Sequence, residues 1–244
     1  MATVVRGERR PFGPIANDIS GPAVTHRQVG GEGICRWKML MNGMHLEGEW
    51  NCVEYVVIEP GASVGEHVHL RTEEIYYIVK GHAVVTMDGV EIHAKAGDLI
   101  TTPIGSSHSI ANRGGEDMHF FVTEVFPGEG PAALPAHLHV PDLLAPREGH
   151  RSAEVDLTPY FTGDWQRFRL LEVPDGGRLD ESVPADRSIV LHVLDGSAVI
   201  SVDGAEYSGG PGLSVAVTPG LAFTATSTAG PGPLRVISTE VGVV

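Results

Sequence analysis

At 244 residues, with a formal charge of -14 from 17 basic and 31 acidic side chains, the chain is long enough for one large all-β domain or two smaller ones, each with a real core. Its only lysines are Lys38, Lys80 and Lys95, which argues against a nucleic-acid or anionic-membrane partner, because phosphate binding rests on clustered Lys and Arg. The basic stretch 1–14 is followed by no apolar segment, nothing approaches the length of a membrane span, and Cys35 and Cys52 are too few for a disulfide framework, so a soluble cytoplasmic protein with two reduced thiols is expected.

Glycine and proline, at 31 and 17 residues, punctuate short apolar runs, a pattern of strands and turns. In chain order, Val53 to Ile58, Ile75 to Val79, Ala83 to Met87, Phe120 to Val125, Ser188 to Leu194 and Ala198 to Val202 each read as a strand. Asp88-Gly89 and Asp203-Gly204 are hairpin turns, since both residue types tolerate positive φ. The run from Ala83 to Glu91 lines up with Ala198 to Glu206 at an offset of 115, which also carries Gly61 to Gly176, Gly81 to Gly196 and Gly97 to Gly212. With one residue inserted, the pairing continues as Pro103 to Pro219 and Thr123-Glu124-Val125 to Thr239-Glu240-Val241. Two copies of one all-β unit follow, joined by a Pro- and Gly-rich connection.

His67 and His69 are two apart, so on a strand both imidazoles leave the same face, at chelate spacing. Glu74 follows on the next strand, and His108 comes just past the turn-forming run 103–107. Gly61, His67, His69, Glu74 and Gly81, followed by Gly97, Pro103, Gly105, His108 and Asn112, fill every specified position of G(X)5HXH(X)4E(X)6G and G(X)5PXG(X)2H(X)3N. In these motifs the sequence resembles the cupin superfamily, well over residues 51 to 126 and weakly over 170 to 241. The resemblance implies two tandem double-stranded β-helix (jelly-roll) barrels, a bicupin. It also implies one divalent transition metal held by His67, His69, Glu74 and His108. Glu73 is an alternative ligand by type, but its spacing to Gly81 is one residue too long for the motif. Three imidazoles and a carboxylate suit Fe, Mn, Ni, Cu or Zn, and are too nitrogen-rich for Ca or Mg.

The repeat offset places Ser182, Pro184, Ile189 and Thr224 where the four ligands stand, so the second copy is expected to be metal-free. Its role would be packing, homodimer contact or closure of the first barrel. His137-x-His139 imitates the chelate spacing without a carboxylate five residues on, and His192 reads as a strand histidine. The expected organisation is an N-terminal segment 1–50 packing on or covering the barrels, a metal-binding domain 51–127, a linker 128–150 and a degenerate domain 151–244. Alternation from Glu74 brings Tyr76 and Ile78 to the metal face, and from His108 it brings Ile110 and Asn112. Tyr76 is the candidate catalytic residue, or else simply an aromatic of the core. Arg36 and Lys38, in the segment Cys35 to His45, could meet a substrate carboxylate at the barrel mouth, unless that segment is an extra outer strand.

The expected partner is a small-molecule substrate. Two open metal positions favour a non-heme iron dioxygenase oxidising an organic metabolite, conceivably in secondary metabolism. A Lewis-acid isomerase, cyclase, lyase or rearrangement enzyme, N–N bond formation included, is the alternative, and a metabolite sensor the third.

Overall fold

The computed structural model describes residues 15–228 and 232–243; the basic stretch 1–14 lies outside the described residues. The first copy comprises β1 (Ala16–Asn17), β2 (Ala23–His26), β3 (Ile34–Asn42), β4 (Trp50–Ile58), β5 (Ser63–Val68), β6 (Glu73–Lys80), β7 (His82–Met87), β8 (Val90–Lys95), β9 (Asp98–Thr102), β10 (Ser107–Ala111) and β11 (Met118–Val125). The second repeats the series as β12 (Ala136–His139), β13 (Ala145–Arg147), β14 (His150–Asp156), β15 (Trp165–Val173), β16 (Arg178–Ser182), β17 (Arg187–Asp195), β18 (Ser197–Val202), β19 (Ala205–Gly209), β20 (Ser214–Val217), β21 (Ala222–Thr228) and β22 (Leu234–Gly242). All six strands read from the sequence fall within these. Among the described residues no helix is long and apolar enough to cross a membrane.

Each copy is a jelly roll. The sheet β12-β9-β6-β11-β4-β3-β2 faces β5-β10-β7-β8 in the first barrel, and β1-β20-β17-β22-β15-β14-β13 faces β16-β21-β18-β19 in the second. Alternation splits each large sheet between two cores. Val56, Ile58, Tyr76, Ile78 and Phe120 fill the first barrel, and Leu191, Ile200, Phe223 and Val236 fill the second. A third core lies between the barrels, where Trp50, Ile75, Tyr77 and Phe121 meet Trp165, Phe168, Leu170 and Ile237. Burying each such side chain stabilises the fold by roughly 1.5–3 kcal/mol.

The copies exchange arms. β1 precedes the first barrel yet pairs with β20 of the second, whereas β12 precedes the second and pairs with β9 of the first. Residues 128–150, expected to be a linker, therefore supply a strand to each barrel, β12 and β13. Residues 23–42 likewise form two strands of the first sheet. The exchange explains Gly97 and Gly212, which have positive φ. A Cβ there would lie 2.7 Å from Pro141 Cγ and 2.5 Å from Ile19 Cγ1, atoms of the arriving arms.

The pairing corrects one equivalence. Met87 faces His108 as Val202 faces Phe223, and Gly105 and Gly220 both have positive φ. The offset of 115 thus persists through β21, so Phe223, not Thr224, replaces His108, and Pro103 matches Thr218. The extra residue lies between Ser227, whose N–H bonds the Gly177 carbonyl as Asn112 bonds Ala62, and Leu234, which packs on Gly196 as Met118 packs on Gly81. Ile189 and Phe223 are both buried. An apolar pair thus fills the space that polar ligands occupy in the first barrel.

His192 lies in the packed region between the barrels, its ring 4.7 Å from Phe121 and 5.5 Å from Tyr55, with Nδ1 2.7 Å from Ser214 Oγ. Burial pulls its pKa down to about 3. The unfolded chain, with an ordinary imidazole near 6.5, therefore binds the proton that the folded chain refuses, and stability falls as pH drops from about 6.5 toward 3. Urea unfolding followed across that window should lose up to the order of 4 kcal/mol from this residue. In His192→Gln that acid limb should flatten.

Candidate metal centre

The site forms where β5, β6 and β10 bring their inward faces together. His67 pairs with His108 across β5 and β10, and Glu74 enters from β6. His69 follows β5 into a turn whose backbone is tied to Ser106 and Gly105. Their ligating atoms converge: His108 Nε2 lies 3.1 Å from His67 Nε2, 3.0 Å from His69 Nε2 and 3.1 Å from Glu74 Oε2, and His69 Nε2 is 3.3 Å from Glu74 Oε2. The three imidazoles form a cluster suited to an ion.

The opposite ring nitrogens are held by oxygens. His67 Nδ1 is 2.9 Å from the Gly65 carbonyl, His69 Nδ1 3.2 Å from Thr72 Oγ1 and His108 Nδ1 3.0 Å from Thr102 Oγ1. A carbonyl only accepts, so His67 carries its proton on Nδ1 and presents a lone pair at Nε2. The buried Glu74 Oε2 receives no hydrogen bond. Lone pairs and an orphaned carboxylate oxygen facing one another repel unless a cation lies among them. Ligating atoms this close together could share one first-row ion bound at roughly 2.0–2.2 Å from each. The donor set fits a divalent transition metal.

Burial, with neighbouring His69 and His67, holds His108 well below the usual imidazole range, and burial also lowers His67. For His69 burial works downward, but the Glu74 carboxylate beside it leaves it raised. Burial pushes Glu74 up to about 7. Neutral imidazoles are ready ligands, and an ion arriving at Glu74 would displace a proton. Tyr76 stacks on His108 with ring centroids 4.8 Å apart and its hydroxyl 3.2 Å from Nε2. Burial and then Glu74 raise its pKa well above the ordinary phenol value, so it remains an O–H donor.

Glu73 points the other way. Its carboxylate accepts hydrogen bonds from Thr162 N, Thr162 Oγ1 and Gly163 N of the second copy. His137 and His139 contact Asp98 at 2.9 and 2.6 Å, clamping β12 to β9.

Three of the expected substrate residues are elsewhere. Cys35 and Trp37 take the inward positions of β3, so Arg36 and Lys38 face outward. Arg36 pairs with Asp117 and Glu59, and Lys38 Nζ donates to the Ser20 carbonyl. Asn112 spends its side chain on the Ile58 and Glu116 carbonyls and the Gly114 N–H, locking the β10–β11 turn. Ile110 is an apolar core residue one inward position beyond His108.

Sequence reasoning missed the wall beside the centre. Register places Cys52, Glu124, Glu74 and Thr102 in one inward row across β4, β11, β6 and β9. The next row holds Glu54, Val122, Tyr76 and Ile100. Glu54 accepts from Trp37 Nε1 at 2.6 Å, and Glu124 from Asn51 Nδ2 at 2.6 Å. The available signal was a lone charge at an inward position of each of two apolar strands.

A cupin-domain family profile matches residues 54–124. The chain is 36% identical over 91 residues to the oxalate-binding protein of Thermotoga maritima, covering 37% of this chain and 75% of that one. It is 27% identical over 96 residues to the tetracenomycin polyketide synthase protein TcmJ of Streptomyces glaucescens, covering 39% of this chain and 61% of that one. The crystal structure of YlbA from E. coli superposes with a TM-score of 0.75 at 14% identity over 95% of this chain and 92% of that one, a likeness of fold alone.

Metal analysis of purified protein should find close to one divalent ion per chain, lost in His67→Ala, His108→Ala and Glu74→Gln while circular dichroism still reports a folded β protein. His137→Ala and Glu73→Gln should keep the ion. Glu73→Gln should instead lower unfolding stability by about 1–3 kcal/mol, the scale of a lost charged hydrogen-bond acceptor.

Proposed function

The chain belongs to the cupin superfamily, and we propose that its first barrel is the centre of a metal-dependent enzyme that oxidises a small organic metabolite with oxygen, as a non-heme iron dioxygenase. The observation that carries this reading is the meeting of His67, His69 and His108 Nε2 with the unpartnered Glu74 Oε2. These four donors would hold the ion and would leave a six-coordinate one room for two exchangeable ligands. When bound, such an ion supplies Lewis acidity and, if it is iron, redox chemistry. The protein supplies orientation and proton control. Gly65, Thr72 and Thr102 fix the imidazole planes, and the apolar floor of Ile78, Ile110 and Phe120 restricts water. Tyr76, kept as a phenol, donates a hydrogen bond to an oxygen of the bound substrate.

The same donor set supports a second reading, in which the ion acts as a Lewis acid in a cyclisation, isomerisation, elimination or rearrangement. The two part on the metal. An oxygenase should consume oxygen with Fe(II) and lose turnover when redox-inert Zn replaces it. A Lewis-acid enzyme should turn over with Zn under argon. Oxygen-electrode assays of Fe(II)- and Zn-loaded protein against a metabolite panel decide between them, and full turnover with Zn under argon would sink the oxygenase reading.

A further inference from the structure

The wall beside the metal centre is acidic and, among the described residues, has no cationic partner. Glu124 stands directly opposite Glu74 in the β6–β11 pair, where facing Cβ atoms are about 5 Å apart. Glu54 lies on the same face of β4, two positions from Cys52 in the adjoining row. Both are half-buried. The groups that anchor them are neutral: Trp37 Nε1 and Cys52 Sγ for Glu54, Asn51 Nδ2 for Glu124. Among the described residues no ion pair involves either one, whereas Arg36 and Lys38 are engaged outside the barrel. Two like charges on a half-buried wall repel each other and the Glu74 carboxylate. Such an arrangement is costly unless something positive occupies the space.

An acidic pair alone would not mark a ligand site. Here it adjoins a buried carboxylate oxygen without a hydrogen bond, Glu74 Oε2, and three convergent imidazole nitrogens. Those features call for a metal, and the ion answers Glu74 first. Glu124 borders Glu74 in the same inward row and Glu54 stands one row on, so both adjoin the space beside the ion. Each ionised carboxylate offers about four lone-pair sites, so both keep acceptor capacity after their neutral contacts are counted.

We infer that the substrate of this centre carries a protonated amine, which Glu54 and Glu124 receive while a neighbouring oxygen of the same molecule approaches the metal. The inference rests on the metal-centre reading proposed above. A carboxylate at that end would meet two like charges, so a dicarboxylate is disfavoured. Specificity would lie in a charge-assisted contact, the strongest kind of hydrogen bond available to a carboxylate.

The test uses full-length protein loaded with Co(II), whose visible absorption reports ligands entering the metal's shell. Ethanolamine and glycolate are the probes: both bring a hydroxyl, one with an ammonium and the other with a carboxylate. The ratio of their dissociation constants is measured for the wild type, Glu54→Gln and Glu124→Gln. Wild type should favour ethanolamine over glycolate, and each variant should shift the ratio toward glycolate by about tenfold, one charge-assisted hydrogen bond, with cobalt content unchanged. A ratio constant within about twofold across the three proteins would overturn the inference and leave the metal centre standing. Tighter binding of glycolate by the wild type would also overturn it. Loss of cobalt from either variant would reassign the carboxylates to holding the metal. A wild type that takes up no cobalt would remove the metal-centre reading itself.

Discussion

The arrangement of the site hangs on β6 being buried on both faces. Ile75 and Tyr77 enter the core between the barrels, while Glu74, Tyr76 and Ile78 enter the interior of the first barrel. Slipping the strand by one residue would drive Glu74 into the apolar interface and Tyr77 toward the imidazoles, so the register has no near competitor. Glu73 tightens this further, because the second copy holds its carboxylate through two backbone N–H groups and a hydroxyl. The barrel without ligands thereby acts on the centre, gripping the strand that delivers Glu74.

The two copies fill the same backbone in opposite ways. In the second, Ile189 and Phe223 occupy the places of Glu74 and His108 and join a continuous apolar core. That interior is stable without any ion. In the first, a carboxylate and two imidazoles are withdrawn from water and a third, His67, is half-buried, which costs free energy unless a cation compensates. The apolar layers beneath, from Ile78 to Phe120, give the barrel a core that does not pass through the centre, unlike a zinc finger whose core is its metal.

Strands with strong alternation were legible in the sequence, and so was the ligand constellation, because both depend on spacing along a single strand or turn. What was not legible depends on which strands pair. β1 and β12 are two and four residues long and find partners in the opposite barrel, so no local pattern marks them. The inward placement of Glu54 and Glu124 becomes meaningful only when β4 and β11 are seen beside β6. Arg36 and Lys38 were placed at the mouth by charge type alone, whereas the neighbours Cys35 and Trp37 settle which face of β3 they take. Counting past Ile110 to Asn112 failed for another reason: the strand ends at Ala111, and alternation carries no information beyond its last residue.

The acidic wall has an electrostatic consequence for stability. Glu54, Glu74 and Glu124 stand within two rows of one sheet, and burial raises the pKa of both Glu54 and Glu74. The second copy replaces Glu74 with Ile189, and where Glu124 and Glu54 stand it holds Glu240 and Arg169, each paired with an opposite charge, Arg167 and Glu181. Local rules broken without a local gain point to function. In the first copy Glu54 and Glu124 take inward positions with no cationic partner among the described residues, while the same strands are apolar at Val56, Ile78 and Phe120. The second copy pairs its own buried charges, Glu240 with Arg167 and Arg169 with Glu181, and supplies half of the shared interface, offsetting the strain that the first copy concentrates around its centre.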